Sequence, residues 1–406
     1  MPKLATSAPA VPAADHAVLR EVVERLAPIR KLAGSPGERE AAHWIAQRLQ
    51  TAGAAATVDE EPFLDGYARQ LLPLAVAGAV AGSLALSGRS RRFAAALGAL
   101  TAAAIADDVS NGVRVWRKAV ARTRTTWNVV AQAGDPSADR TLVVMAHHDA
   151  APTGRIFDQS GQIWFAEHFP GVVERMDTSL PLWWPITAGP ALVALGAASG
   201  RRAVAAAGTA LSLLVTVLGA DVARTRIVPG ANDNLSAVAA QVALAERLRE
   251  HPIPGLRVWL VSCGAEEVLQ GGIYGFAARH FPALDRERTW VLNLDTIGSP
   301  ELVMIEGEGA FVMEDYFDRR FRDLIARAAE RVGLPIRRGL RSRSSSDSVI
   351  PSRAGYPTAM LCSIDRYKCL SNYHQMTDTP ENLDYDTVAR AVDVVEAVGR
   401  ELAVAR

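Results

Sequence analysis

The chain has 406 residues with 44 basic and 44 acidic side chains, so its formal net charge is zero and it carries no electrostatic footprint of a nucleic-acid binder. That length is enough to bury a full core, in one large domain or two. The three cysteines, Cys263, Cys362 and Cys369, are too few for a disulfide scaffold and form no Cys-x-x-Cys pair, which argues against a thiolate zinc site. Cys362 and Cys369 can pair or stay as free thiols.

Residues up to about Ala14 read as a loose Ala- and Pro-rich tail, with Lys3 but no sustained apolar core, unlike a secretory signal peptide. Helical spacing of apolar residues predicts a helix over His16–Arg30 and, after the turn cluster Gly34-Ser35-Pro36-Gly37, a second over Glu38–Thr51, stopped by Gly53. Ala55–Phe63 reads as a strand. At Tyr67 the composition changes. Leu71–Leu86 and Phe93–Ala106 are almost wholly apolar, separated by Gly88-Arg89-Ser90-Arg91-Arg92. Pro181–Ala198 and Ala203–Ala220 repeat that pattern around Gly200-Arg201-Arg202. These are two apolar helical hairpins with arginine-bearing tips, at residues 67–118 and 180–222.

The rest alternates between strands and helices. Strands are predicted at Thr126–Ala131, Thr141–Ala146, Arg257–Ser262, Thr289–Leu294, Glu301–Ile305 and Thr358–Cys362. Helices are predicted at Leu235–Arg249, Gly272–His280, Asp315–Val332 and Tyr385–Val404. The alternation points to an α/β fold, a three-layer α/β/α sandwich around a mostly parallel mixed sheet. That domain is discontinuous, comprising residues 1–66, 119–179 and 223–406, with the hairpins inserted.

Polar fragments gather where such a sheet places its binding crevice, at the carboxyl ends of strands. Ala146-His147-His148-Asp149 follows one predicted strand, Ala265-Glu266-Glu267 another, and Asp295 ends a third. Asp233, within Gly230-Ala231-Asn232-Asp233-Asn234, stands just ahead of a helix. An Asp there ordinarily caps free N–H groups, and two adjacent acids are ordinarily solvated. Asp295 directly after apolar strand residues is harder to dismiss, because a buried carboxylate is costly unless it is paired or metal-bound. With Tyr373-His374, the fragments supply two histidines and several carboxylates, a ligand set suited to two zinc ions sharing Asp233.

The order and spacing of these motifs resemble the co-catalytic zinc aminopeptidases, the family of bacterial leucyl aminopeptidases and the Streptomyces aminopeptidase. The resemblance begins with Gly34-Ser35-Pro36-Gly37 and Asn128-Val129-Val130-Ala131, and also takes in Asp378-Thr379-Pro380-Glu381-Asn382-Leu383. It implies a zinc-dependent aminopeptidase with two Zn2+ per chain and a peptide substrate. Asp233 would bridge the metals, His147 and Asp295 would complete one site, and Glu267 and His374 the other. Asp149 would fix the His147 tautomer. Glu266 would be the general base for a water shared by the two metals, returning the proton to the leaving amine. Ser346-Asp347-Ser348 stands where relatives often have Ser-Asp-His, and no ligand is expected there. His148 is expected to pack. Two alternatives share the fold: a glutaminyl-cyclase-like acyltransferase with one zinc, and a catalytically inactive membrane scaffold.

The hairpins set the expected location. A membrane span needs roughly 20 apolar residues, with about 17 at the low end, and Pro181–Ala198 and Ala203–Ala220 meet that. The four segments lack a regular polar stripe, which surface helices need. Tyr67, Trp116, Trp183 and Trp184 lie at the hairpin bases, where an interfacial aromatic belt sits. The reading is a multi-pass membrane protein held in the lipid bilayer by both hairpins, its peptidase body facing the cytoplasm. The alternative is a soluble cytoplasmic protein with a four-helix lid.

Overall fold

The computed structural model describes residues 13–404. The expected N-terminal tail thus falls mostly outside the described residues, apart from Ala13 and Ala14, which already belong to the first helix. In chain order the body begins with α1 (Ala13–Leu26), α2 (Pro36–Thr51) and β1 (Ala55–Leu64). The first hairpin is α3 (Ala68–Leu86) and α4 (Arg91–Val109), followed by α5 (Val115–Val120), β2 (Thr123–Gly134) and β3 (Thr141–His147). Next come α6 (Ser160–His168), α7 (Pro170–Arg175) and the second hairpin, α8 (Trp184–Ser199) and α9 (Arg202–Val222). The chain returns to the body with α10 (Ser236–Glu250), β4 (Arg257–Cys263), α11 (Gly271–His280), β5 (Thr289–Leu294), β6 (Glu301–Glu308) and β7 (Glu314–Asp315). It closes with α12 (Arg319–Arg331), β8 (Arg337–Ser342), α13 (Val349–Arg353), β9 (Thr358–Ile364) and α14 (Tyr385–Val404).

Among the described residues the strands form one 9-stranded sheet in the order β1-β2-β4-β3-β5-β9-β6-β7, with β8 on β6. The centre, β4-β3-β5-β9, is parallel. The flanks turn antiparallel at β1/β2, β2/β4, β6/β9 and β6/β7. Apolar runs such as Thr141–His147 and Thr358–Ile364 are buried along their whole length, as strands covered on both faces must be. One face carries α1, α2, α10, α12 and α14 over the larger core. The other carries α11 and α13 over Val143, Met145, Trp259 and Phe276. Helix α10 is buried from Ser236 to Ala245, and its Ala-rich sequence lets it sit close to the sheet.

Several local expectations are corrected. The first helix stops at Leu26, not Arg30, since Pro28 disfavours helical backbone just before it. Asp315 belongs to β7. The following helix starts at Arg319, where Asp318 caps it by accepting from the Arg320 N–H. Helices α5, α6 and α7 and strand β8 carried no periodic signal strong enough to predict. All three cysteines are buried free thiols, so Cys362 and Cys369 are unpaired.

Helices α3, α4, α8 and α9 pack on one another as four helices. Their contacts are made by small residues: a Cβ on Gly82 would stand 2.1 Å from Thr209 Oγ1, and one on Gly208 would stand 2.6 Å from the Gly189 carbonyl oxygen. Leu71, Leu74, Ile105 and Val193 are buried, but many large apolar side chains point outward, with Leu100 71% and Val217 66% exposed beside Val80, Phe93, Leu195 and Leu213. Two of the four helices, α3 and α9, are long and apolar enough to cross a membrane. Of the expected aromatic belt, Trp183 turns into the protein, Tyr67 and Trp116 are half-buried, and Trp184 stays 44% exposed. Trp183 is buried and meets Tyr67 edge-on at 6.2 Å. The Trp116 indole donates to the Gln70 carbonyl and the Trp184 indole to the Ala310 carbonyl.

Candidate metal centre

Each candidate ligand hangs from the end of an element that the core fixes. His147 is the last residue of β3, and Asp295 directly follows β5. Glu266 and Glu267 form a short 3-10 turn beyond β4. Asp233 lies in the loop running into α10, where its peptide bond to Asn234 is cis. His374 comes from the loop after β9.

The structure brings these residues together. Ligand atoms of His147, Asp233 and Asp295 lie within 4.8 Å of one another, and so do those of Asp233, Glu267 and His374. Asp233 is common to both groups and divides its oxygens between them. Oδ1 is 3.2 Å from His147 Nε2, and Oδ2 is 3.2 Å from His374 Nε2. Glu267 Oε2 stands 3.1 Å from His374 Nε2. Glu266 lies beside the groups rather than in them, its Oε2 4.0 Å from His147 Nε2.

Asp149 has a larger part than expected. It lies 3.5 Å from His147 Nδ1, and it also accepts the backbone N–H groups of Glu266 and Glu267 at 3.0 and 3.1 Å. One buried carboxylate thus orients a histidine and the turn that carries both glutamates. His148 packs as expected: it is fully buried, its Nδ1 is 2.9 Å from Ser262 Oγ, and burial lowers its pKa to about 4.

Sequence reading missed the residues that hold the loops in register. Asp378 accepts the N–H groups of Asn232 and Asp233. Asn234 donates to the Leu294 carbonyl and accepts from the Thr296 N–H, which ties the bridging loop to the Asp295 strand end. Lys31, fully buried, donates to the carbonyls of Leu26, Ile29 and Pro229, just ahead of the bridging loop. Glu38 accepts from Gly34 N–H, Thr126 Oγ1 and Ala265 N–H, so it braces the glutamate turn from below. Gln270 donates to Glu266 Oε1 at 2.9 Å and accepts from Asn111 Nδ2 at the end of the first hairpin. The signal for Gln270 was its place four residues after Glu266. For Lys31 and Glu38 no sequence signal existed.

Electrostatics mark the cluster as a place for cations. Burial pushes Glu266 well above the usual carboxylate range, raises Asp295, and raises Glu267 to about 7. Asp347, buried against the Cys263 thiol, is raised by burial to about 8. For the histidines burial alone would lower the pKa, but it is outweighed: Asp149 and Asp233 hold His147 well above its ordinary value, and Glu267 and Asp233 raise His374 to about 10. Burial would raise Asp233, yet the two histidines hold it below the usual range. Such a cluster is costly without compensating positive charge. Glu267 Oε1 is buried with no hydrogen-bond partner among the described residues. The donors are nitrogen and oxygen only, a set that suits zinc.

Residues 215–399 match the profile described as Peptidase family M28. That segment runs from the second hairpin into α14, a little under half of the chain. No curated protein sequence matches the chain. Solved structures show the same fold at low identity. A glutaminyl cyclase from Bacteroides thetaiotaomicron has a TM-score of 0.57 at 14% identity, covering 96% of this chain and 99% of its own. An aminopeptidase from Aneurinibacillus sp. has 0.54 at 15%, covering 95% and 93%. A Zn-dependent exopeptidase from Parabacteroides distasonis has 0.54 at 14%, covering 98% and 100%. At these identities the likeness speaks for the fold alone. The M28 match adds that the chain is a zinc-dependent hydrolase of the peptidase type.

Proposed function

We propose that this M28 peptidase is an aminopeptidase using two zinc ions per chain, with Asp233 bridging them. His147 and Asp295 complete one site, and Glu267 and His374 the other. The observation that carries the reading is the sharing of Asp233 between two complete groups of ligands, one carboxylate oxygen turned to each histidine. A single-zinc cyclase has no use for the second group.

Two zinc ions supply a polarised carbonyl and a water acidic enough to attack near neutral pH. The chain's own residues do the rest. Asp149 fixes the His147 ring and the Glu266–Glu267 turn. Glu266 takes a proton from the attacking water and delivers it to the leaving amine as the C–N bond breaks. Gln270 holds Glu266 Oε1 while its other oxygen stays free for that proton.

The body comprises residues 1–66, 119–179 and 223–406, and the hairpins at 67–118 and 180–222 anchor it in a bilayer. Support comes from close helix approaches at small residues and from the many large apolar side chains left outside, such as Leu100, Val217 and Leu195, as in membrane helix bundles. At about 1.5 Å per residue, α3 and α9 span roughly 30 Å, the thickness of a hydrocarbon core. Arg114 and Arg117 are buried, Arg117 against Asp108, and do not count as flanking charge. The remaining basic residues still favour the base over the tips, which supports a cytoplasmic body.

The test is metal content of the purified full chain together with hydrolysis of a panel of aminoacyl amides and peptides. Two zinc ions per chain and chelator-sensitive release of N-terminal residues are expected. One zinc with pyroglutamate formation would transfer the reading to the cyclases. Carbonate-washed membranes should retain the protein, and protease added outside intact cells should spare the His374 region.

A further inference from the structure

Between the hairpin bases and the metal-ligand cluster lies a second, apolar cavity. Its floor is Tyr373 and Phe157, and its sides come from Leu72 on α3 and from Leu218 and Gly219 on α9. Tyr373 is also part of the cleft that contains His147, Asp233, Glu266, Glu267 and Asp295, as are Leu182 and Ser344. The wall between the two spaces is therefore thin. Tyr373 stacks on His374 at 3.9 Å, and Phe157 meets the same imidazole at 4.4 Å.

The far side of this cavity is open. Leu72, Leu218 and Gly219 are half-buried and Leu182 is exposed, so the slot reaches the flank of the bundle. The glycine creates part of the space, since a Cβ there would meet nothing nearer than Leu72 Cδ1 at 3.6 Å. The depth is also defined. The lining residues of α3 fall between Ala68 and Ala75, within about 10 Å of the helix start. With the hairpins spanning a bilayer, that depth is the outer part of the hydrocarbon layer on the side of the body. The bundle neighbours that border the slot offer it no charged group. An uncharged apolar lining of this kind suits a linear alkyl chain.

We propose that this slot takes the alkyl chain of an amphiphilic amide, whose aminoacyl or peptidyl head reaches the metal-ligand cluster past Tyr373 while the chain stays at bilayer depth. The proposal rests on the hydrolase reading and names the substrate class of that same site. The reaction is simple amide hydrolysis: water adds to the carbonyl carbon, the C–N bond breaks, and the proton taken by Glu266 leaves on the amine.

The experiment uses the full chain in lipid nanodiscs. A leucyl alkyl amide with a diazirine near the end of its chain is bound to Glu266→Gln protein, illuminated, and the labelled residues are mapped by mass spectrometry. Labelling around Leu72 and Leu218 is expected, together with its loss in Gly219→Phe and in Leu72→Trp, two variants that fill the slot from opposite helices. A diazirine phosphatidylcholine in the same discs identifies the other source of alkyl chains. If that lipid labels the slot and the amide does not displace it, the site is a lipid site and the proposal is overturned. Labelling that is absent, or unchanged in whichever slot-filling variant folds, overturns it too. With the parent protein, kcat/KM for leucyl alkyl amides should rise by up to about fourfold per added methylene until the slot is full. A flat series counts against the proposal. Failure to hydrolyse any amide would remove the peptidase reading, while the labelling map would still decide the slot.

Discussion

Glu266 and Glu267 are adjacent in sequence, and the geometry gives them opposite fates on substitution. Glu267 Oε2 lies 3.1 Å from His374 Nε2 and inside a ligand group with Asp233. Glu266 belongs to neither group, and its Oε1 is occupied by the Gln270 amide at 2.9 Å. Glu266→Gln keeps shape, volume and an oxygen able to accept from Gln270, so fold and zinc content should stay as in the parent. It removes the proton acceptor, and turnover should fall by about 10²–10⁴-fold, which is roughly 2.7–5.4 kcal/mol of barrier. Glu267→Gln should lose zinc along with rate. Metal analysis of gel-filtered protein and steady-state hydrolysis of an aminoacyl amide measure both. Glu266→Gln working at the parent rate, or losing its zinc as Glu267→Gln does, would refute the assignment. Gln270→Ala extends the test to a positioning residue. It deletes one hydrogen bond to a charged group, worth about 1.5–3 kcal/mol, so kcat should drop by about 10- to 150-fold. Because the amide favours the carboxylate form, its loss should also move the rising limb of the pH–rate profile to higher pH.

Asp233→Asn keeps one oxygen and removes the charge shared by both ligand groups; both zinc ions should bind more weakly and most activity should go, so full activity with two zinc ions would count against the bridge. Glu306 gives a pH prediction away from the centre. Burial would raise its pKa, but Arg338, the Gly339 N–H and Arg322 outweigh that and hold it at about 2. A depressed carboxylate stabilises the fold above its unfolded value of 4.5, and that share is lost as pH falls through about 2. With solvent screening the contribution is on the order of 1–2 kcal/mol, and Glu306→Gln should flatten the acid limb of a denaturation series between those values. In the bundle, Gly82→Leu would drive a side chain into Thr209 and should cost about 1–3 kcal/mol of stability in detergent. Val80→Leu, on the outward face, should leave the melting temperature unchanged.

The ligand set was legible because its chemistry is conspicuous in sequence. Asp295 at the end of a largely apolar strand and two acids at a strand exit are uncommon unless something offsets their burial. The residues that hold those ligands were not legible, because a buried Lys31 or Glu38 looks like any surface charge until its partners are known. Lys31 is linked to Pro229 across nearly two hundred residues, and Glu38 to Ala265 across more. Their role lies in long-range pairing, which no local pattern encodes. The parallel centre of the sheet followed from its uniformly apolar strands. β8 did not, since Arg337–Ser342 carries three arginines and pairs through its backbone with β6 and, at Arg341, with the loop at Thr178.

The hairpins show the same division between what composition says and what contacts add. Composition gave apolar helices of about membrane length, but could not say which side of each helix faces its neighbours. The contacts place Gly, Ala, Ser and Thr at the close approaches, with Leu71, Leu74, Ile105 and Val193 among the few large side chains inside, and leave Leu100, Val217, Leu195 and Phe93 outside. A soluble lid would reverse that, because water favours burying the large side chains. Lipid has no such preference and rewards close backbone approach instead. The same contacts bind the first hairpin to the chemistry. Asn111, just beyond α4, donates to Gln270 Oε1, and Gln270 donates to Glu266. Arg114 then anchors that corner on Asn111 and on the Leu269 carbonyl. The insertion is therefore part of the scaffold that orients the base. A chain cut free of its hairpins would lose the Asn111 bond to Gln270 as well as the proposed membrane anchor.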